Sequence, residues 1–427
     1  MSDGTIATVR GRRVWDSRGR PTVEAEVALS GGALGRAIAP AGASTGSGEA
    51  IDLRDGGQRL GGYGVDAAVA AVNGPLADAL RDRPIADQAE LDRALIDADG
   101  TANRGRCGGN ALIAVSMACA HARAAAQGVP LWRSLRDDRR PLRLPLPEIQ
   151  LFGGGAHAAQ RVDVQDFMIV PVGAPDYETA LEMVAEVYLH AGKLLAERDL
   201  LMGVADEGGY WPAFDSNEAG LELAIAAIER AGYAPGRDVA LSLDIAASEF
   251  GRDGRYRLAR DGRDLDRDGL IELLLDWTRR YPIVSIEDPL AEDDEAGLTA
   301  FTRAAGSGLQ VVGDDCLVTD ASRVRHAQAA GACNTLLVKP NQAGTLTETK
   351  AALDAALDGG WGAIVSARSG ESEDTTIVHL AVGWGAPQLK VGSFARSERM
   401  AKWNEGLRIA DALGSGALPG VGELQWQ

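Results

Sequence analysis

The sequence predicts an α/β fold in which a smaller α+β domain precedes a β/α barrel, and three observations carry that expectation. The chain has 427 residues, enough for about two to three domains of roughly 150 residues, or for one large barrel with a smaller partner. Beyond about residue 143, short apolar runs alternate with helical patterns. Polar residues with chemical potential stand at the C-terminal ends of those runs, where a barrel gathers its side chains into one mouth.

Taken in order, Val23–Leu29 alternates as a strand, and Ala67–Val72 reads as helical. The length, small residues and apolar content of Asn110–Gly128 predict a buried helix. The charged stretch Leu135–Arg143 interrupts the pattern and reads as a linker, giving domains of 1–135 and 143–427. Glycines Gly153–Gly155 then suggest a close backbone approach. The apolar runs that follow are Phe167–Val172, Val239–Leu243, Ile283–Ile286, Leu309–Val312, Thr335–Val338, Ala363–Val365 and Gln388–Lys390. Strands buried on both faces and separated by helices predict a parallel sheet, and their number over so long a stretch predicts its closure.

Composition narrows the function. Hydrophobic residues make up 45% and charged residues 24%, close to the globular average, which excludes a disordered or fibrous chain. A net charge of −18 repels phosphate backbones and anionic lipid, so neither nucleic acid nor a membrane is an expected partner. The start, MSDGTIATVR, lacks the pattern of a signal peptide, and no apolar run approaches a membrane span. A cytoplasmic protein is expected. Cys107, Cys119, Cys316 and Cys333 have no metal or disulfide spacing and read as small core residues.

Asp244, Glu287, Asp314, Lys339, Arg368 and Lys390 follow one another by 43, 27, 25, 29 and 22 residues, about one βα unit each. The three carboxylates form an oxygen-only ligand set suited to a hard cation such as Mg²⁺, with Mn²⁺ accepted by the same oxygens. Asp288 and Asp315, beside two of them, read as supporting or capping groups. Lysine is scarce, at five residues in the chain, so Lys339 and Lys390 carry information. A lysine beside a cation and a second lysine is expected to have a lowered pKa and to serve as a base, while the other binds a carboxylate. Metal and base on opposite sides of a bound carboxylate suit removal of the proton α to it.

Seven segments also carry a resemblance: Asp16-Ser-Arg-Gly-Arg-Pro-Thr-Val-Glu24, Gly42-Ala-Ser-Thr-Gly46, Asp206-Glu-Gly-Gly209, Ser285-Ile-Glu-Asp-Pro289, Gly313-Asp-Asp315, Leu337-Val-Lys-Pro-Asn-Gln342 and Ala395-Arg-Ser-Glu-Arg399. In collinear order, to about Leu413, they resemble the enolase family, phosphopyruvate hydratase. The resemblance implies an α+β capping domain on a modified (β/α)8 barrel, a homodimer or higher homo-oligomer, and a hydro-lyase that converts 2-phosphoglycerate to phosphoenolpyruvate with two Mg²⁺. By the same resemblance Asp244, Glu287 and Asp314 hold the first metal, Lys339 is the base, and Lys390 partners the substrate carboxylate. Arg368 and Ser369 match the phosphate-binding pair. Ser44 matches the mobile-loop residue that completes the second metal site, and its flanking glycines fit a hinged lid. Glu207 resembles the acid that helps the β-hydroxyl leave, with Gln165 and Asp166 beside it, and His157 matches a histidine near the phosphate.

Three departures bear on the substrate. The family's Ser-His-Arg-Ser-Gly-Glu-Thr-Glu-Asp is here Ser366-Ala-Arg-Ser-Gly-Glu-Ser-Glu-Asp374, so an imidazole is replaced by the methyl of Ala367. The acidic residue of the family's Gln-Glu-Phe-Met is Asp166, one methylene shorter, and Pro147–Ala156 departs from Met-Asn-Ile-Leu-Asn-Gly-Gly-Ser. Two alternatives therefore stand beside the hydratase. One is a paralogue for a modified phosphoglycerate, resembling carboxyphosphonoenolpyruvate synthase of natural-product biosynthesis. The other is a silent enolase-like scaffold, which has no need of the metal-plus-base set.

Overall fold

The computed structural model describes residues 4–426. Three antiparallel strands come first, β1 (Ile6–Trp15), β2 (Pro21–Leu29) and β3 (Leu34–Ile38), with β2 in the middle. Val23, Ala25 and Val27 of β2 are buried, and β2 and β3 pack on the helix Gly109–Gln127. That helix is buried without a break from Gly109 to Ala120, which explains why it reads as apolar on every side rather than as an amphipathic stripe. The sheet comes very close: a Cβ at Gly35 would lie 2.1 Å from both the Ala118 carbonyl oxygen and the Ala122 nitrogen. Only glycine fits there.

The barrel follows. Its first strands are β4 (Leu146–Gly153), β5 (Asp166–Val170) and β6 (Ala240–Asp244), and five more follow after an excursion. The excursion is a small antiparallel sheet of β7 (Gly251–Arg252), β8 (Arg255–Leu258) and β9 (Arg263–Asp266). The remaining barrel strands are β10 (Ile283–Glu287), β11 (Gln310–Gly313), β12 (Thr335–Val338), β13 (Gly362–Ser366) and β14 (Gln388–Gly392). They close in the order β4-β5-β6-β10-β11-β12-β13-β14. Two features differ from the sequence expectation. The strand β4 is absent from the predicted runs because Pro147, Glu148 and Gln150 break its apolar character, although all eight of its residues are buried. The sheet is also not wholly parallel, since β5 runs antiparallel to both β4 and β6. The connection from β4 to β5 holds only a short turn, Gly155–Ala158, and so lacks the helical crossover that parallel neighbours need.

Helices cover the outside of the barrel, several started by a side-chain cap: Asp176 on Tyr177–Glu197, Asp266 on Arg267–Arg280, Asp294 on Glu295–Ala305, Asp320 on Ala321–Ala330 and Thr345 on Leu346–Asp358. The N-terminal part is tied to the barrel by buried polar contacts. Asp92, fully buried, accepts hydrogen bonds from Ser116 Oγ at 2.6 Å and the Thr347 backbone N–H at 2.9 Å. Ala41 and Gly370 exchange two backbone hydrogen bonds of 2.9 Å at the barrel mouth. In the charged connecting stretch, Asp137 accepts from Lys350 at 2.8 Å and Arg140 at 2.9 Å, so these charges are paired rather than simply solvated. Among the described residues no helix is long and apolar enough to cross a membrane.

Candidate active site

Strand register places the chemistry. Asp244 ends β6 opposite Asp166 on β5 and Glu287 on β10. Asp314 and Lys339 directly follow β11 and β12, and Arg368 follows β13 by two residues. Lys390 lies within β14, opposite Ser366 and Glu148. The six predicted strand-end residues thus meet at one mouth and are all buried.

Lys390 Nζ stands 2.6 Å from Glu287, 3.2 Å from Asp244 and 3.7 Å from Asp166. Lys339 Nζ donates to Asp314 Oδ2, whose other oxygen accepts from Gln342 at 2.9 Å. Gln165 donates to Asp244 at 3.1 Å. Burial works against each ammonium, but the facing carboxylates outweigh it, and both lysines are held above the ordinary lysine range. The lowering expected for Lys339 belongs to the site with its cation bound; with Asp314 alone facing it, the ammonium form is favoured. Glu287 is pushed well above the carboxylate range by burial and by Asp244, and its Oε1 has no hydrogen-bond partner. A buried, crowded carboxylate with a spare oxygen is what a hard cation would satisfy.

Near Asp314, both oxygens of Asp288 accept backbone N–H groups, from Asp314 at 2.9 Å and Asp315 at 3.0 Å. Asp288 is thus the capping group that its position suggested. One oxygen from each of Asp288, Asp314 and Asp315 lies within 4.8 Å of the others, and His157, Asp166 and Glu207 form a second such group. The first group, three buried carboxylates, suits a hard cation.

The segment Gly42–Glu49 lies over Arg368. The guanidinium forks onto Glu49, with Nη1 to Oε2 at 3.0 Å and Nη2 to Oε1 at 3.1 Å, and also donates to the Ser44 carbonyl at 2.9 Å and Asn341 at 3.2 Å. A Cβ at Gly42 would sit 2.0 Å from Arg368 Nη2, so this glycine lets the loop close on the arginine. Ser369 Oγ accepts from Arg18 at 3.2 Å, and Arg18 also donates to the Ala41 carbonyl at 2.9 Å. Glu49 and Arg18 were not singled out by the sequence reading. A glutamate in a glycine-rich polar loop gives no signal until the fold sets it on a buried arginine.

On the opposite side, His157 Nδ1 lies 3.1 Å from Asp166 Oδ1 and its Nε2 lies 3.8 Å from Glu207. Burial opposes the imidazolium, but Asp166 and Glu207 lift His157 to about 9. Ala43, Ser44, His157, Gln165, Glu207, Asp244, Lys339, Ala367, Arg368, Ser369 and Lys390 line one cavity of only about 20 Å³. That is room for about one water molecule, so any larger ligand requires part of the lining to move. Roomier cavities, of about 330 Å³, lie elsewhere on the molecule. The converging charges mark this site, not its volume.

Comparison with known proteins agrees with that geometry. The family model described as "Enolase, N-terminal domain" matches residues 6–135, and "Enolase, C-terminal TIM barrel domain" matches residues 141–422. A curated protein of Rubrobacter xylanophilus named "Enolase" is 49% identical over 419 residues, covering 98% of this chain and 97% of that protein.

Proposed function

We infer that this chain, which belongs to the enolase family, dehydrates 2-phosphoglycerate to phosphoenolpyruvate, the hydro-lyase step of glycolysis. The observation that carries the chemistry is the meeting of Asp244, Glu287 and Asp314 with Lys339 and Lys390 in one buried mouth. A silent scaffold has no use for such a set. Lys339, as the neutral amine, takes the proton from C2. The electron pair left on C2 forms the C2–C3 double bond as the C3–O bond breaks, and Glu207 gives the departing hydroxyl the proton that makes it water. Lys390 holds the substrate carboxylate, and Arg368 with Ser369 holds the phosphate, for which a planar guanidinium is suited. Gln165 and His157 orient the substrate and Glu207, and Asp166 keeps His157 charged.

Asp244, Glu287 and Asp314 would hold Mg²⁺, the metal the family uses, which would supply positive charge against the substrate carboxylate. We assign a second ion to the loop that carries Ser44, with Mn²⁺ as an acceptable substitute. The division into 1–135 and 143–427, a cytoplasmic location and a homodimer or higher homo-oligomer belong to the same reading.

A second reading, a paralogue for a modified phosphoglycerate, has one observation in its favour: Ala367, a methyl in the cavity wall. One assay separates the two. Phosphoenolpyruvate formation from 2-phosphoglycerate with Mg²⁺ is measured for wild type, Lys339→Ala and Ala367→His. Turnover by wild type that Lys339→Ala abolishes is the expected result. No wild-type turnover, with some gained by Ala367→His, overturns it in favour of the paralogue.

A further inference from the structure

We propose that Gln150 is a positioning residue for the elimination, holding Asp166 and the loop of Glu207 in register through its two amide atoms. This rests on the hydratase reading above. Gln150 lies on β4, fully buried. Its Oε1 accepts from the Gly209 backbone N–H at 2.8 Å, and Gly209 closes the Asp206–Gly209 segment that bears Glu207. A backbone N–H can only donate, so the orientation of the amide is fixed. Nε2 must then face Asp166, and it donates to Asp166 Oδ1.

The contacts close a ring. Asp166 Oδ1 also meets His157 Nδ1 at 3.1 Å, His157 Nε2 faces Glu207 at 3.8 Å, and Glu207 leads through Gly208 back to Gly209. With two donors on Oδ1, the other oxygen of Asp166 is left without a hydrogen-bond partner, 3.7 Å from Lys390 Nζ. The amide therefore decides which carboxylate oxygen faces the reacting side and keeps Asp166 an acceptor for the imidazolium. Two glycines make room for it. A Cβ at Gly209 would lie 2.5 Å from Gln150 Oε1, and one at Gly153 would lie 3.3 Å from Nε2.

The loop does not depend on the amide for its path. Gly153 N donates to the Tyr210 carbonyl at 2.8 Å, Tyr210 N to the Leu151 carbonyl at 3.0 Å, and Ser393 N to the Glu207 carbonyl at 2.8 Å. Removing the amide should therefore disturb alignment more than folding. Reach is what matters: Gln150 spans to an aspartate, so shortening one side chain and lengthening the other by a methylene preserves the total.

The test measures kcat, KM and thermal midpoint with 2-phosphoglycerate and Mg²⁺ for wild type, Gln150→Asn, Asp166→Glu, the double variant, and Gln150→Met, which keeps volume and removes both hydrogen bonds. Gln150→Asn and Gln150→Met are expected to lower kcat about 10- to 100-fold, the scale of one hydrogen bond to a charged group, with KM within about threefold. The double variant is expected to recover most of the kcat lost by Gln150→Asn. A kcat within about twofold of wild type in both Gln150 variants overturns the proposal. So does a double variant whose losses simply multiply while the midpoint falls in step, which is the behaviour of a structural residue. Wild-type protein that fails to dehydrate 2-phosphoglycerate overturns the hydratase reading and this proposal with it. Wild-type turnover lost in Lys339→Ala and kept in the Gln150 variants overturns this proposal alone.

Discussion

Replacing Lys390 by methionine removes the ammonium that stands beside Glu287, Asp244 and Asp166, at 2.6, 3.2 and 3.7 Å. All these side chains are nearly inaccessible to solvent, so the stranded carboxylates cannot be rehydrated. Breaking such a buried pair costs roughly 3–5 kcal/mol. An independent limit comes from protonation, because Glu287 can escape by taking up a proton. At pH 7, about 2.7 units above an ordinary glutamate pKa, that costs about 3.7 kcal/mol at ~1.36 kcal/mol per unit. Lys390→Met is therefore expected to lose about 4 kcal/mol of stability at pH 7 without Mg²⁺, read by urea unfolding. The sign with pH follows: Lys390 is a charge that holds Glu287 down, so without it burial and Asp244 raise Glu287 further than in wild type, acid relieves the penalty, and at pH 5 about 1 kcal/mol remains by the same reckoning. Adding Mg²⁺ should narrow the gap to wild type as well, because the ion replaces the missing charge. A deficit under about 1 kcal/mol at pH 7, or one that widens toward pH 5, would refute the reasoning.

Three further outcomes follow from other parts of the molecule. Arg368→Lys, which keeps the charge and loses the fork, should lower kcat/KM for 2-phosphoglycerate about 10- to 100-fold in steady-state assays. Gly35→Ala places a Cβ 2.1 Å from the backbone of the buried helix and should destabilise the fold by about 1–3 kcal/mol in urea melts, as overpacking does. Asp137→Asn concerns a carboxyl held well below its ordinary range, chiefly by the hydrogen bond from Arg139, with Lys350 adding to it against burial. A depressed carboxyl stabilises the fold above its unfolded pKa of about 3.9, so the variant should be weaker at pH 7, and the gap should close as pH falls below ~4.

Much of the site was legible because barrel geometry turns sequence spacing into convergence. Asp244, Glu287, Asp314, Lys339, Arg368 and Lys390 stand at or near strand ends about one βα unit apart, and burial makes those strands continuous apolar runs. The strand β4 escaped that logic because Glu148 and Gln150 point polar groups into the barrel, where Ser242 Oγ donates to Glu148 and Asp166 accepts from Gln150. The antiparallel β5 escaped it because an apolar run carries no direction. The small sheet β7–β9 was hidden because its strands are short and charged. Lys339 shows a different limit. Its position was readable, but its charge state depends on which carboxylate faces it, and Asp314 is 25 residues away in sequence.

The central claim is that Lys339 removes the C2 proton and Glu207 serves only the departing hydroxyl. Exchange of that proton in deuterium oxide, followed by NMR on 2-phosphoglycerate with Mg²⁺, separates the two steps. Wild type should exchange the proton and form phosphoenolpyruvate, Glu207→Gln should exchange it with little product, and Lys339→Ala should do neither. Exchange by Lys339→Ala at the wild-type rate would contradict the account.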